Sequence, residues 1–332
     1  LFCYIFIILG ITLNEIIVDG SFIYLLKSIL FHIISFFTLI FFLNLFSENE
    51  KIFPKFLFIF GFALLIYKNG ELIPYFNRLT EGAYFNSRIA ASVTYMTVSL
   101  AFYSMAKNKI VLSYLILFGG FYLLFNMTAR AVSAIIFTTL ILSFITIHCR
   151  IKIKNIIFIS LIFIFLLVLF LYNFQPNIIK TIVIARIDAF SALMYAVNNI
   201  PFGIGINGII DLRSNIVILS NFLDFDLRRV QAASHDGYTT AHSLLVGSLL
   251  KYGLMAFLPL IYFTVNIFRL NLIMVTSRLV SNENKILSCF ILCYCSYAFI
   301  FSGYGILLFL IPLLYAASYS LFNSFKSKLL FL

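Results

Sequence analysis

His242 opens the run AHSLLVGSLLKYGLMAFLPLIYF, directly after GYTTA. Thr239 or Thr240 is placed to cap a helix over this run, which puts His242 in its first turn. The positive end of a helix dipole disfavours an imidazolium, so the ring is expected to be neutral near pH 7 and able to accept a proton. A histidine at a membrane edge also serves as an interfacial anchor, and residue type alone leaves both roles open. Asp236 and His235 precede it closely enough to be considered as orienting groups.

Three arginines could serve such a base. Arg88 follows GAYFN and Arg130 follows FNMT, each opening an apolar run. The guanidinium fork suits bidentate recognition of phosphate, although arginines at the ends of spans also act as anchors. Arg186 lies in NIIKTIVIARIDAFSALMYAVNNI, where Ile179, Ile182, Val183, Phe190, Leu193 and Val197 share one helical face. Such a helix is expected to lie along a membrane surface, with Arg186 at the centre of its apolar stripe. There it either snorkels to lipid phosphates or meets an anionic ligand held at the surface.

The stretch NNIPFGIGINGII carries Gly203, Gly205 and Gly208 in the spacing G-x-G-x-x-G. A dinucleotide turn needs a strand before it and a helix opening directly on the glycines. Here an amphipathic helix precedes it and Pro201 ends that helix. Gly203 and Gly205 are expected instead to let the backbone turn sharply and approach its neighbours closely.

The elements that would position these residues follow from composition. Of 332 residues 63% are hydrophobic and 11% charged, with 41 Phe and 19 Tyr. That balance, and apolar runs recurring over the whole length, predict an all-α polytopic transmembrane helical bundle with one large periplasmic loop containing amphipathic helices. Spans are expected at 28–46, 52–67, 88–106, 109–126, 129–147, 155–173, 242–267, 286–301 and 305–322. The organisation is then 1–172, N-terminal transmembrane helices; 173–241, the periplasmic loop; and 242–332, three C-terminal transmembrane helices. The first run, LFCYIFIILGIT, is too short to span, so further helices are expected ahead of residue 1.

Lys and Arg set the orientation. Segments 47–55, 106–109, 148–154, 268–285 and the C-terminus hold twelve, whereas the short loops opposite hold five. The basic side is expected to be cytoplasmic. Its twelve bases and three acids account for nine of the eleven net positive charges, so topology explains the charge and no nucleic-acid partner is expected. Lys251 would sit about 13.5 Å along its span beyond His242, where a charge needs a cavity or partner. Cys289 and Cys293 share a helix face with no His or carboxylate nearby in sequence, so small packing residues are expected and no metal site.

The run from His242 resembles a motif of the O-antigen ligase and polymerase superfamily: His, then Asn, Ser or Gln, nine residues, Gly, two residues, and a small residue. His242, Ser243 and Gly253 fit, and Ala256 stands where the family more often has Gly, Thr or Val. RIDAFSALMYAVNNIPFGIGINGII is similar to the family's Arg, amphipathic helix and Pro-Gly-x-Gly. TARAVSAII resembles its Ser-Arg-Gly element, with Ala129 and Ala131 replacing the usual neighbours of Arg130. RLTEGAYFNSRIAA resembles a further segment, with Arg88 at a place often held by another residue.

The resemblance implies a cofactor-free, metal-independent inverting glycosyltransferase of the bacterial inner membrane with its active site facing the periplasm. His242 would take the proton from an acceptor hydroxyl. Arg130 and Arg186, with Arg88 as a further contributor, would bind the pyrophosphate of an undecaprenyl-diphosphate-linked glycan donor. The acceptor would be another lipid-linked repeat for a polymerase, or lipid A-core for a ligase, with membrane lipid, a chain-length regulator and a flippase as partners. A flippase or transporter is the competing class, yet it predicts paired interrupted helices in two matching halves and ionisable residues at midplane, where only Lys251 is expected. A purely structural membrane scaffold would not require the His and Arg set.

Overall fold

The computed structural model describes residues 5, 8–10, 12–13, 16, 22–48, 51–66, 87–126, 130–149, 197, 203, 210–211, 238–239, 244–301 and 304–330. Nearly all of these are helical. The long helices are α1 (Phe22–Glu48), α2 (Ile52–Ile66), α3 (Ser87–Ala106), α4 (Ile110–Asn126), α5 (Arg130–Phe144), α6 (Leu244–Thr276), α7 (Asn282–Phe301) and α8 (Tyr304–Leu330). A π-helical turn, Ile145–Cys149, extends α5. Each apolar run anticipated in the described residues is a helix, and 155–173 lies outside them. Several helices outrun their apolar cores: α6 continues to Thr276 and α8 to Leu330, because hydropathy marks an apolar segment and not where backbone hydrogen bonding stops. Two stretches, Ile89–Ala106 and Phe257–Thr276, are long and apolar enough to cross a membrane, and shorter apolar helices accompany them.

One departure from all-α is a two-residue antiparallel ladder. β1 (Ile210–Asp211) pairs with β2 (Tyr238–Thr239), with Ile210 opposite Thr239 and Asp211 opposite Tyr238. The chain divides into two compact units, one of residues 1–39, 154–265 and 298–312, the other of 40–153, 266–297 and 313–332.

In the second unit, α2 packs on α3, α3 on α4 and α4 on α5. The short α3–α4 and α4–α5 connections make those successive helices antiparallel. The α3–α4 turn is specified locally. Asn108 takes a left-handed φ of 59°, Lys109 N–H donates to Ser104 C=O at 2.9 Å, and Asn108 N–H donates to Met105 C=O at 2.9 Å. This is a Schellman stop, and Asn is one of the few side chains that tolerates its left-handed residue. Pro54 sits in the first turn of α2, where a missing N–H costs nothing.

Small and hydroxyl-bearing residues join the helices. Ser92 Oγ donates to Gly61 C=O at 2.5 Å and Ser99 Oγ to Pro54 C=O at 2.7 Å, tying α3 to α2. Ser113 Oγ donates to Ala101 C=O at 2.8 Å between α4 and α3, where Gly120 lies against the side chain of Thr97. Asn271 Nδ2 donates to Ser318 Oγ at 2.7 Å between α6 and α8, and Ser320 Oγ to Phe46 C=O at 2.5 Å between α8 and α1. The Tyr95 and Tyr294 hydroxyls meet at 3.0 Å between α3 and α7. Aromatic contacts complete the α1–α2 junction, with Phe46 and Phe53 ring centroids 5.4 Å apart. Outward faces remain apolar: Val111, Ile59, Leu115 and Phe125 are all more than half exposed.

Candidate functional site

Arg88 is the second residue of α3 and Arg130 the first of α5. Because α3, α4 and α5 alternate in direction and α3 also packs on α5, these two backbone positions lie at the same end of the helix set. The opposite end is basic. The Tyr114 ring, near the start of α4, lies 5.7 Å from the ring of His148 in the π turn. Thr146 Oγ1 in that turn approaches Cys289 Sγ on α7 at 3.9 Å. Val275 on α6, Cys289 and Leu292 on α7, and Leu142 on α5 pack together there. Around that end Lys51, Lys55, Lys107, Lys109, Arg269, Arg278 and Lys326 are exposed, and Lys285 is buried. Topology thus separates the two arginines from the basic face, as the distribution of Lys and Arg predicts.

In the first unit, Gly203 has φ of 75°, a left-handed conformation that glycine adopts without strain, consistent with a sharp turn at the G-x-G stretch. The β1–β2 ladder follows that stretch at Ile210 and ends at Thr239, three residues ahead of His242 in the chain. It therefore ties the segment leaving the glycine turn to the segment leading into the histidine.

The ladder bears on the expected capping. Thr239 is in extended backbone opposite Ile210, the described part of α6 begins at Leu244, and the expected cap at Thr239 or Thr240 falls where residues 240–243 lie outside the described residues. Thr, Tyr and Ile are all good strand formers, yet that propensity in INGIID and GYTT does not say which partner each short stretch finds. Arg186, Pro201, Gly205, His235, Asp236 and His242 lie outside the described residues. Of the surface helix expected before Pro201, Val197 is described, and it is helical with its side chain 55% exposed.

Within α6, Gly253 has φ 68° and ψ −165° and interrupts the helix. That region of backbone space is essentially restricted to glycine. Gly253 is also the glycine of the resembling His-Ser-x₉-Gly pattern, so a residue singled out by that resemblance has a conformational requirement of its own. Pro259 follows inside the same helix and leaves a second backbone carbonyl without its i+4 donor. Ser248, Leu249 and Leu250, one turn before the break, are buried.

Among the described residues, no group of three or more His, Cys, Asp or Glu is placed to hold a metal ion. No family model, curated protein or solved structure matches this chain.

Proposed function

We propose that this chain is a polytopic inner-membrane glycosyltransferase that polymerises lipid-linked glycan repeats on the periplasmic side. The observation that carries the reading is the Ile210–Thr239 pairing, which joins the glycine-turn segment to the approach to His242. By the resemblance, the first of these segments follows the Pro-Gly-x-Gly element and the second leads into the proposed base. The interrupted α6, with its break at the motif glycine, supports the same reading.

The membrane assignment is supported by apolar helices with apolar outward faces, by hydroxyl and small residues concentrated between helices, and by cations gathered at one end. Placing that basic end in the cytoplasm puts positions 88 and 130 on the periplasmic side.

In the proposed reaction, neutral His242 accepts the proton of an acceptor hydroxyl as its oxygen attacks the anomeric carbon of the donor. The new C–O glycosidic bond forms while the bond from that carbon to the phosphate oxygen breaks, inverting the centre. Undecaprenyl diphosphate leaves with the bonding electron pair, and Arg130, Arg186 and Arg88 stabilise the charge that develops on it. Fixed cations aimed at developing charge and a positioned base are together the strongest contributors available without covalent catalysis.

His242→Ala in proteoliposomes supplied with lipid-linked repeats should lower transfer by about 10²- to 10⁴-fold. Transfer at the wild-type rate overturns the proposal. Deletion of the gene separates polymerase from ligase, since loss of a polymerase leaves single repeats on lipid A-core and loss of a ligase leaves the core unsubstituted.

A further inference from the structure

Three cations of the basic end stand on the outward apolar faces of their helices. On α2, Ile59, Phe62 and Ile66 fall within about 40° of the direction of Lys55, and all four residues are exposed. On α6, Tyr262, Val265 and Ile273 fall within about 40° of Arg269, and all four are again exposed. On α8, Tyr319 and Lys326 are seven residues apart, hence on one face, and both are exposed. The opposite faces are buried, with Phe53 and Leu57 on α2, Ile267 and Asn271 on α6, and Ala317 on α8.

Each of the three lies near the basic end of its helix. Lys55 is three residues after Ile52, Arg269 seven before Thr276 and Lys326 four before Leu330, or about 4.5, 10.5 and 6 Å along the axis. The contrast is α4, whose exposed stripe of Val111, Leu115, Phe118, Tyr122 and Phe125 carries no cation.

A cation on the same stripe as exposed Ile, Phe and Val side chains meets whatever covers those side chains. A soluble acidic partner would pair the charge and leave the apolar residues in water. A bilayer satisfies both, because hydrocarbon takes the apolar residues while the long basic side chain extends to the headgroups. No Asp or Glu lies on the three stripes to offset the charge. At the same end Lys51, Lys107, Lys109, Arg278 and Lys285 add to it, against Glu48 and Glu283 among the described residues. Reaching a phosphate alone would not distinguish one phospholipid from another, but a positive potential does, by about fivefold for each cation near the surface.

We propose that Lys55, Arg269 and Lys326 form a rim that selects anionic phospholipids from the leaflet at the basic end. The inference rests on the membrane part of the functional reading and not on glycosyl transfer.

The chain contains no Trp, so a single introduced indole reports one place. Val265→Trp and Ile59→Trp put it one turn inward of Arg269 and Lys55 on their own stripes, and Phe118→Trp puts it on the cation-free stripe of α4. Each full-length protein is reconstituted in equimolar phosphatidylglycerol and phosphatidylcholine, with one lipid or the other brominated on its acyl chains, and quenching of the indole is measured. At Val265→Trp and Ile59→Trp, phosphatidylglycerol should quench as though enriched about fivefold over the bulk. At Phe118→Trp the two lipids should quench alike. Adding Arg269→Met to the first reporter, or Lys55→Met to the second, should abolish the enrichment, whereas Arg269→Lys should retain it.

Equal quenching by the two lipids at Val265→Trp and Ile59→Trp overturns the proposal, as does the same enrichment at Phe118→Trp. Enrichment that survives the Met substitutions also overturns it. So does enrichment that polyglutamate in the aqueous phase removes, which would mark these cations as a face for an acidic soluble partner. Absence of quenching by either lipid at all three positions would overturn the membrane reading itself, which separates that failure from a loss of lipid selectivity.

Discussion

Ile210 and Thr239 face each other across the β1–β2 ladder, although the whole of DLRSNIVILSNFLDFDLRRVQAASHDGY runs between them. Opposed residues in an antiparallel pair have Cα atoms about 4.5–5.5 Å apart, which is within the range a disulfide can bridge. Ile210→Cys with Thr239→Cys should therefore oxidise to an intramolecular disulfide. Mass spectrometry after alkylation reads the bridge. If the pair stays reduced under conditions that oxidise a secreted control protein, the ladder does not hold these residues together.

Gly253 predicts its own intolerance. Alanine at φ 68° and ψ −165° is strained by roughly 1–3 kcal/mol, and the residue is buried, so the backbone has little room to relax. Gly253→Ala should lower the melting temperature in detergent and, on the proposed function, reduce glycan transfer. Wild-type stability would mean that the break in α6 is not required.

The course of the helices was legible in the sequence because an apolar run and its polar boundary are local signals. The α3–α4 turn is an example: MAKNKI supplies both a helix stop in Asn108 and the cations that flank it. The Ile210–Thr239 pairing was not legible. Two residues of strand propensity carry little information, and which partner they find depends on the distant fold. For the candidate site, spacing singled out Gly203 and the superfamily resemblance Gly253, and the backbone supplies the reason for each in a positive φ. The burial of Lys285 and Ser288 had no sequence signal, since it follows from how α7 packs.

The α3–α4 contact offers a paired test on adjacent glycines. A Cβ on Gly120 would collide with the Thr97 side chain, which is β-branched and cannot easily rotate away, whereas a Cβ on Gly119 meets nothing within 4 Å. Gly120→Ala should destabilise the protein by about 1–3 kcal/mol. Gly119→Ala should be neutral or slightly stabilising, since alanine is the better helix former. Thermal unfolding of the two variants compares them directly, and equal melting temperatures would rule out close packing of α4 on Thr97.

Lys285 makes stability depend on pH in a defined direction. Burial holds its ammonium below the ordinary lysine value of 10.5, with the neighbouring Cys289 acting weakly the other way. In the interval between the lowered folded value and 10.5 the unfolded chain binds more protons than the folded one, so stability must rise with pH. Below that interval both states hold the proton, and the cost of burying the charge is constant. The wild type should therefore gain stability as the medium becomes alkaline. Other lysines and the tyrosines also titrate there, so the quantity to measure is the difference between wild type and Lys285→Met in thermal unfolding followed by circular dichroism. The variant should lack the Lys285 part of the rise and be the more stable of the two at neutral pH, because methionine fills the same space without a charge. Parallel curves for the two proteins would show that Lys285 does not hold its charge in a buried setting.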